Sequence, residues 1–594
     1  MLPKCLCPIL SKDVILLPTN LERFTAPNQV EDSQNKIRKN ISNFSNLESS
    51  ILQRSRDSTS VKRELMGKPP DRKKIYDDDL TRTISEVFND RTRTIPIIGD
   101  IIRALRLSMR RKNITFEQFL KMSIDKIADR VTRFDIAQLT KIDSVSLNSM
   151  TVFMNGGPKG EYWNIAKNGF YDWIDNKSTE SIFGVELGFK ADDYGLEVSN
   201  KLIEKKRRNP DINISLLIDG FVSYLMSKPE SSLDQFENNT INMVGNMRQE
   251  NINVYVNDSW NPLSSDFLAA NHIKLWIFDE IAAFYGGIGI ERQFRKTLYD
   301  EMDLVQGPIV GIMSIMVLLL MANQNKEFNL SVTQNGNWIS KDELRKIYNK
   351  NRGQSKGTVN MKIFMNVPGY VQDAQREYIS LLTHSDVKEI YILAPYFSDD
   401  KIARALIKTA NKMHDKLKKS LQNRTDLGSS NTPNLQEYKK IHVVFPKKQE
   451  NKIIEEVSRY YAYYLRNNPI VETRQFNFEE NGDKFDMLHA KQMAVILEDK
   501  KRDWTKYVKF GGSYNPAGRA QNMWEMNAVS FNGKWRDTDE GPNSVPDNPI
   551  RDYVNSVLKL VVSKYSEPFP WGQAGVKLSL LDKISMKLSQ ILWF

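Results

Sequence analysis

The chain has 594 residues, 40% hydrophobic and 26% charged, a balance that excludes a wholly disordered chain and fits a soluble globular protein of several domains or a duplicated fold with long insertions. Its net charge of +11 favours an anionic partner, phospholipid or nucleic acid, without choosing between them. Cys5 and Cys7 are the only cysteines, which excludes a disulfide framework for the body of the protein and points to a reducing compartment.

Residues 1–95 are polar, rich in Ser, Asn, Lys and Arg, and lack a sustained period, so they are expected to be disordered or extended. Residues 1–120 hold 22 Lys and Arg against 15 Asp and Glu, so most of the basic excess lies there. The first twenty residues lack the continuous apolar core of a secretory signal. Cys5 and Cys7 are candidates for S-acylation, since two acyl chains anchor firmly where one does not; the alternative is two ordinary thiols. A basic amphipathic helical segment is expected over 96–150. In its first part Ile97, Ile101, Ile102, Leu105 and Met109 share one face, with Arg103, Arg106, Arg110, Arg111 and Lys112 on the other face and at the end. Such a helix can lie on an anionic membrane or pack on its own domain with the basic face solvated.

From 151 the pattern is strand, helix, strand, helix, strand. The strands are expected at 181–189, 212–218 and 252–256, and the helices at 195–206 and 234–249. Residues 271–289 (NHIKLWIFDEIAAFYGGIG) read as a hairpin turning at Asp279-Glu280. His272 and Lys274 are two apart, so on a strand they share a face, where an imidazole and an ammonium suit a phosphate better than a core. The apolar run 309–322 is too short for an ordinary membrane span and reads as a buried helix. Residues 323–360 read as a linker. The pattern then restarts, with helices at 371–382, 400–419 and 450–466, strands at 388–393 and 441–445, and a second hairpin carrying His489, Lys491 and Gly511-Gly512-Ser513. This is an internal duplication at long period. Residues 566–594 form a further amphipathic segment.

These residues resemble the phospholipase D superfamily, whose signature is two copies of His-x-Lys-x4-Asp followed by Gly-Gly or Gly-Ser. The first copy is His272, Lys274 and Asp279, then Gly286-Gly287; the second is His489 and Lys491, then Gly512-Ser513-x-Asn515, Arg519 and Glu525-x-Asn527. Asp303, Gly307-Pro308 and Ala394-Pro395-Tyr396-Phe397 match strings of cardiolipin-synthase-like members. The resemblance implies an α/β fold of two pseudo-symmetric half-domains, 151–322 and 361–565, each a mixed β-sheet flanked by helices, with the active site at their interface. It implies catalytic His272, Lys274, Asp279, His489, Lys491, Asp303 and Glu525, with Asp303 serving His272 and Glu525 serving His489. Phosphate would be held by Gly287, Ser513 and Asn515, with no metal or other cofactor. The implied activity is a phosphodiesterase or phosphatidyltransferase acting on phospholipids through a phosphohistidine. With neither a secretory signal nor a spanning helix in the sequence, the expected location is cytoplasmic and peripherally membrane-associated, or inside another cell after delivery. A nuclease of the same superfamily and a degenerate, non-catalytic membrane scaffold are the alternatives. The last is motivated by Ile496, which stands where the second motif should have Asp, and by Gly289, where a small polar residue is common.

Overall fold

The computed structural model describes residues 144–155, 161–163, 168–220, 233–257, 270–324, 359–368, 371–425, 438–447, 452–480, 483–485, 487–499, 504–517, 520, 523–532 and 548–569. Cys5, Cys7, the basic segment at 96–112, most of the expected linker, Arg519 and residues 570–594 lie outside the described residues.

In the first half the elements are β1 (Ser149–Met154), β2 (Ser181–Glu186), α1 (Asp193–Arg208), β3 (Asn213–Asp219), α2 (Leu233–Gln249), β4 (Asn253–Asn257), β5 (Leu275–Phe278), β6 (Ala282–Gly286), β7 (Glu301–Gln306) and α3 (Pro308–Gln324). The second half has β8 (Val359–Val367), α4 (Asp373–Leu382), β9 (Val387–Leu393), α5 (Asp400–Thr425), β10 (Ile441–Phe445), α6 (Lys452–Arg466), β11 (Val471–Phe476), β12 (Gln492–Asp499), β13 (Trp504–Gly512), β14 (Glu525–Asn532) and β15 (Ser566–Pro568). The first sheet runs β1-β7-β6-β5-β2-β3-β4, and the second runs β8-β14-β13-β12-β9-β10-β11-β15. Omitting β15, the orders are the same. So are the directions: β2, β3 and β4 are mutually parallel, as are β9, β10 and β11, and the remaining pairs are antiparallel. The expected pair of mixed-sheet halves is what the structure has.

Strands covered on both faces read as continuous apolar runs, and β2, β5 and β6 are buried at every position. The outer face of the first sheet packs Trp276, Phe278 and Phe284 against Val198 and Leu202 of α1. The outer face of the second packs Ile390, Ile392 and Val443 against α4, α5 and α6. The inner faces meet in one cluster that holds Leu275, Ile277 and Val305 from one sheet with Met361, Ile363 and Met526 from the other. Helix α3 is buried there. Its Ile309, Met313, Met316, Val317 and Leu320 are all nearly inaccessible, as expected of a helix apolar all round. No helix among the described residues is long and apolar enough to cross a membrane.

Three expectations need correction. Strands occupy 145–146 and 149–154, where the helical segment was expected to run on to 150. The edge strand Val145–Ser146 pairs with β8 of the second half, so that sheet recruits chain from before the first. Strand β8 also begins inside the expected linker. Its buried Val359, Met361 and Ile363 alternate with the half-buried Asn360 and Lys362, and the alternation was hidden beside a polar run.

Candidate active site

Each His-x-Lys motif immediately precedes its strand, β5 or β12, and each is laid against the other half. The backbone N–H of His272 donates to the Trp524 carbonyl at 3.0 Å, and that of His489 donates to the Tyr299 carbonyl at 2.8 Å. The residues next in chain are acids. Glu525 therefore comes beside His272, with Nδ1 3.1 Å from both carboxylate oxygens, and Asp300 comes beside His489, with Nδ1 2.5 Å from Oδ2. A carboxylate on Nδ1 keeps the proton there and leaves Nε2 as the reactive atom. All four basic groups are buried: His272, Lys274 and Lys491 are 2% exposed and His489 is 8%. Lys274 and Lys491 curl back alike, donating to the carbonyls of His272 and His489 at 3.3 and 2.8 Å.

The carboxylates are thus exchanged between halves, which corrects the expected pairing. Glu525 orients His272, not His489. Asp303 does not serve His272; it accepts a bond from Lys509 and lies beside Glu301, which is 2.7 Å from the same ammonium. The acid that holds His489 is Asp300, which was not anticipated. A spacing signal was available: Asp300 follows Gly286 by fourteen residues and Glu525 follows Gly512 by thirteen, each directly after a large aromatic, whereas Asp303 lies at seventeen.

The phosphate-binding expectations also change. The hydroxyl of Ser513 donates to Glu525 Oε2 and accepts from Met526 N–H at 3.1 Å, so it braces the acid that holds His272. The N–H of Gly287 pairs with the Glu301 carbonyl at 2.9 Å. What Gly287 supplies is space, because a Cβ there would sit 2.2 Å from an Asp300 carboxylate oxygen. At Gly289 a Cβ would sit 2.8 Å from the Phe294 ring, which meets His489 edge-on with centroids 5.2 Å apart. Asn515 is buried, and its amide oxygen, which lacks a partner among the described residues, can accept from a ligand N–H or O–H but cannot bind a phosphate oxygen.

Burial, reinforced by the Lys274 and Lys491 charges, holds His272 well below the ordinary histidine pKa. Burial and Lys491 lower His489 to about 4, with Asp300 pulling the other way. Burial would raise Asp300, but Lys491 and His489 outweigh it and keep it below the usual carboxylate value. Glu525 is pushed well up by burial, only partly offset by Ser513 and the two lysines. The two histidines are therefore not equivalent: Asp300 beside His489 is held as the stronger acid, and Glu525 beside His272 as the weaker one. Burial lowers Lys491 to about 7 against the pull of Asp300, with Lys274 adding to the fall. Lys491 is accordingly charged below about pH 7 and neutral above it. Affinity for tungstate, an oxyanion ionised throughout, should weaken progressively from pH 7 to 9; a flat profile by calorimetry would contradict this role.

Asp279 sits at the far end of the first hairpin and is a capping residue, which corrects its expected catalytic place. Asp279 and Glu280 both have positive φ, 49° and 58°, in a tight turn closed by the Ile281 N–H on the Phe278 carbonyl at 3.0 Å. The Asp279 carboxylate accepts the backbone N–H groups of Thr179, Glu180 and Ser181 at 2.7, 2.7 and 2.8 Å, fixing the start of β2. Ile496 has no such task. Strand β12 runs on to Asp499, both arms of the second hairpin are longer, and Ile496 packs with Leu393 and Val444. Asp279→Ala should cost about 2 kcal/mol of stability by thermal unfolding, because polar groups near the core lose their acceptor. Turnover per folded molecule should be unchanged; a loss of turnover without loss of stability would restore a catalytic role.

No family model matches the sequence, and no curated protein matches it significantly. Among solved structures, the chain is similar to phosphatidylserine synthase of Haemophilus influenzae, at 13% identity over 77% of this chain and 96% of that one, with a TM-score of 0.47. It is similar to polyphosphate kinase of Porphyromonas gingivalis at 7% identity, over 74% and 55% of the two chains, with a TM-score of 0.35. A third likeness is to Nuc, a phospholipase D family member of Salmonella typhimurium, at 16% identity over 30% of this chain and 98% of that one, with a TM-score of 0.22.

Proposed function

We propose that this chain, which has the phospholipase D-superfamily fold, is a phosphodiesterase or phosphatidyltransferase acting on membrane phospholipids through a phosphohistidine. The observation that carries the chemistry is the exchange of carboxylates, which equips two buried histidines from different halves as one unit. His272 Nε2 attacks phosphorus, the bond from phosphorus to the headgroup oxygen breaks, and His489 gives its proton to that oxygen. In the second step His489 takes a proton from water or an acceptor alcohol, whose oxygen attacks phosphorus as the phosphorus–nitrogen bond breaks. Lys274 and Lys491 neutralise charge on the equatorial oxygens. A bound phosphodiester brings negative charge beside His489, which raises its pKa and loads the proton that the first step needs. The more acid-favouring surroundings of His489, against the neutral ring of His272, support this division of roles.

The phospholipid substrate rests on the cardiolipin-synthase-like strings around Gly307-Pro308 and Pro395-Tyr396-Phe397. The non-catalytic alternative loses its motive at Ile496, which occupies a structural position. Vesicles of phosphatidylcholine, phosphatidylethanolamine and phosphatidylglycerol, with and without a short primary alcohol, should release headgroup, and the alcohol should divert phosphatidic acid into a phosphatidyl alcohol. Cleavage of single-stranded DNA with no headgroup release would replace this reading with the nuclease. Inertness toward both, by a protein that also forms no phosphoenzyme, would favour the scaffold.

A further inference from the structure

Beside the site lies a buried charged cluster that the reaction above does not use. Lys509 on β13 reaches across the interface to Glu301 and Asp303 on β7, all three 1% exposed. Tyr553, in the helical segment Pro549–Tyr553, donates its hydroxyl to Glu301 Oε2, and the Lys509 ammonium lies 5.2 Å from the Tyr553 ring centroid. Burial works against the Lys509 charge, but the two carboxylates outweigh it and hold its pKa above the usual lysine value.

The duplicated fold provides an internal control. Strand register places Asp300 at the position of Glu525, so Glu301 corresponds to Met526 and Asp303 to Ala528. With Gly286 matching Gly512, Lys509 corresponds to Ala283. Met526, Ala528 and Ala283 all lie in the apolar inter-half core. The same sheet positions are therefore apolar on the His272 side and ionic on the His489 side. A buried ion cluster is a poor source of stability compared with apolar packing, so the fold alone does not account for it.

Its link to the chemistry is short. The backbone N–H of Glu301 donates to Asp300 Oδ1 at 2.8 Å, and Asp300 Oδ2 holds His489 Nδ1. We propose that Lys509, Glu301 and Tyr553 are positioning residues that fix Asp300, and through it His489, so that the two histidines are held to different tasks. The proposal rests on the assignment of His489 to proton transfer.

The test transplants the other half's residues, as Glu301→Met, Asp303→Ala and Lys509→Ala together, and measures an activated phosphodiester by rapid quench. A good leaving group needs no proton, so formation of the phosphoenzyme should proceed at the wild-type rate. Its breakdown, which needs His489, should slow about ten- to a hundredfold, by analogy with the loss of outer partners of metal-bound histidines. Tyr553→Phe, which keeps the packing and removes one bond to Glu301, should shift the same step by a smaller factor and decides the matter if the triple variant does not fold. Wild-type breakdown in either folded variant, or formation and breakdown slowed together, would overturn the proposal, the latter because it marks a general structural role. A wild-type protein that forms no phosphoenzyme would instead overturn the assignment beneath it.

Discussion

His489→Asn is expected to lose about 10⁴-fold or more in turnover of a phospholipid while still forming the phosphoenzyme from a substrate with a good leaving group. His272→Asn should lose as much and form none. The asymmetry follows from what each ring is asked to do. The nucleophile must be neutral with Nε2 free, and burial with two neighbouring lysines keeps His272 neutral. The acid must gain and release a proton within the cycle, and His489 alone faces a carboxylate whose own pKa is held down. Asparagine at 489 keeps the size of the side chain near Asp300 but carries no proton to release or recover, so the intermediate should persist. Steady-state rates on vesicles, paired with burst amplitudes on the activated substrate, separate the two variants. Equal bursts in both, or a burst only in His272→Asn, would reverse the roles.

Exchange of the carboxylates makes the second prediction unusual, because each substitution should impair the histidine of the other half. Glu525→Gln should slow phosphoenzyme formation by roughly 10²- to 10⁴-fold, since the amide cannot stabilise positive charge developing on His272 and can hold the ring in the wrong tautomer. Asp300→Asn should leave formation from an activated substrate near normal and slow breakdown by a similar factor. Were Glu525→Gln to affect breakdown alone, the within-half pairing would be right and the geometry at Nδ1 misleading. Asp303→Asn, by contrast, touches neither histidine directly and should have a far smaller effect than Asp300→Asn.

Much of the fold was legible because its strands are covered on both faces. Runs such as 212–218 and 441–445 are mostly apolar, broken only by Asn213, Ser215 and His442, and they appear as β3 and β10 within a residue or so of expectation. Helix α3 was equally plain, since a stretch with no polar face has nowhere to go but a core. The duplication was visible because His-x-Lys recurs in the same order of elements. What could not be read was anything set across the interface. A single sequence places Glu525 and His489 in one half and Asp303 and His272 in the other, and nothing local says that each motif lies against the residues leading into β14 or β7 of the opposite half. Asp279 misled for a related reason: its fixed place after the histidine looks like chemistry, yet its carboxylate serves three amides at the far end of a hairpin. Ser513 and Gly287 showed the same limit, because small residues in a glycine turn suit both phosphate binding and close packing against an acid.

The central claim is that two halves make one site in which His272 becomes covalently phosphorylated. Rapid quenching of the wild-type and His489→Asn proteins with a phosphorus-labelled activated diester, followed by peptide mapping under alkaline conditions that preserve phosphohistidine, tests it directly. The label should be on His272 in both, transient in the wild type and long-lived in the variant. Label on His489, or none in either protein during active turnover, would contradict it.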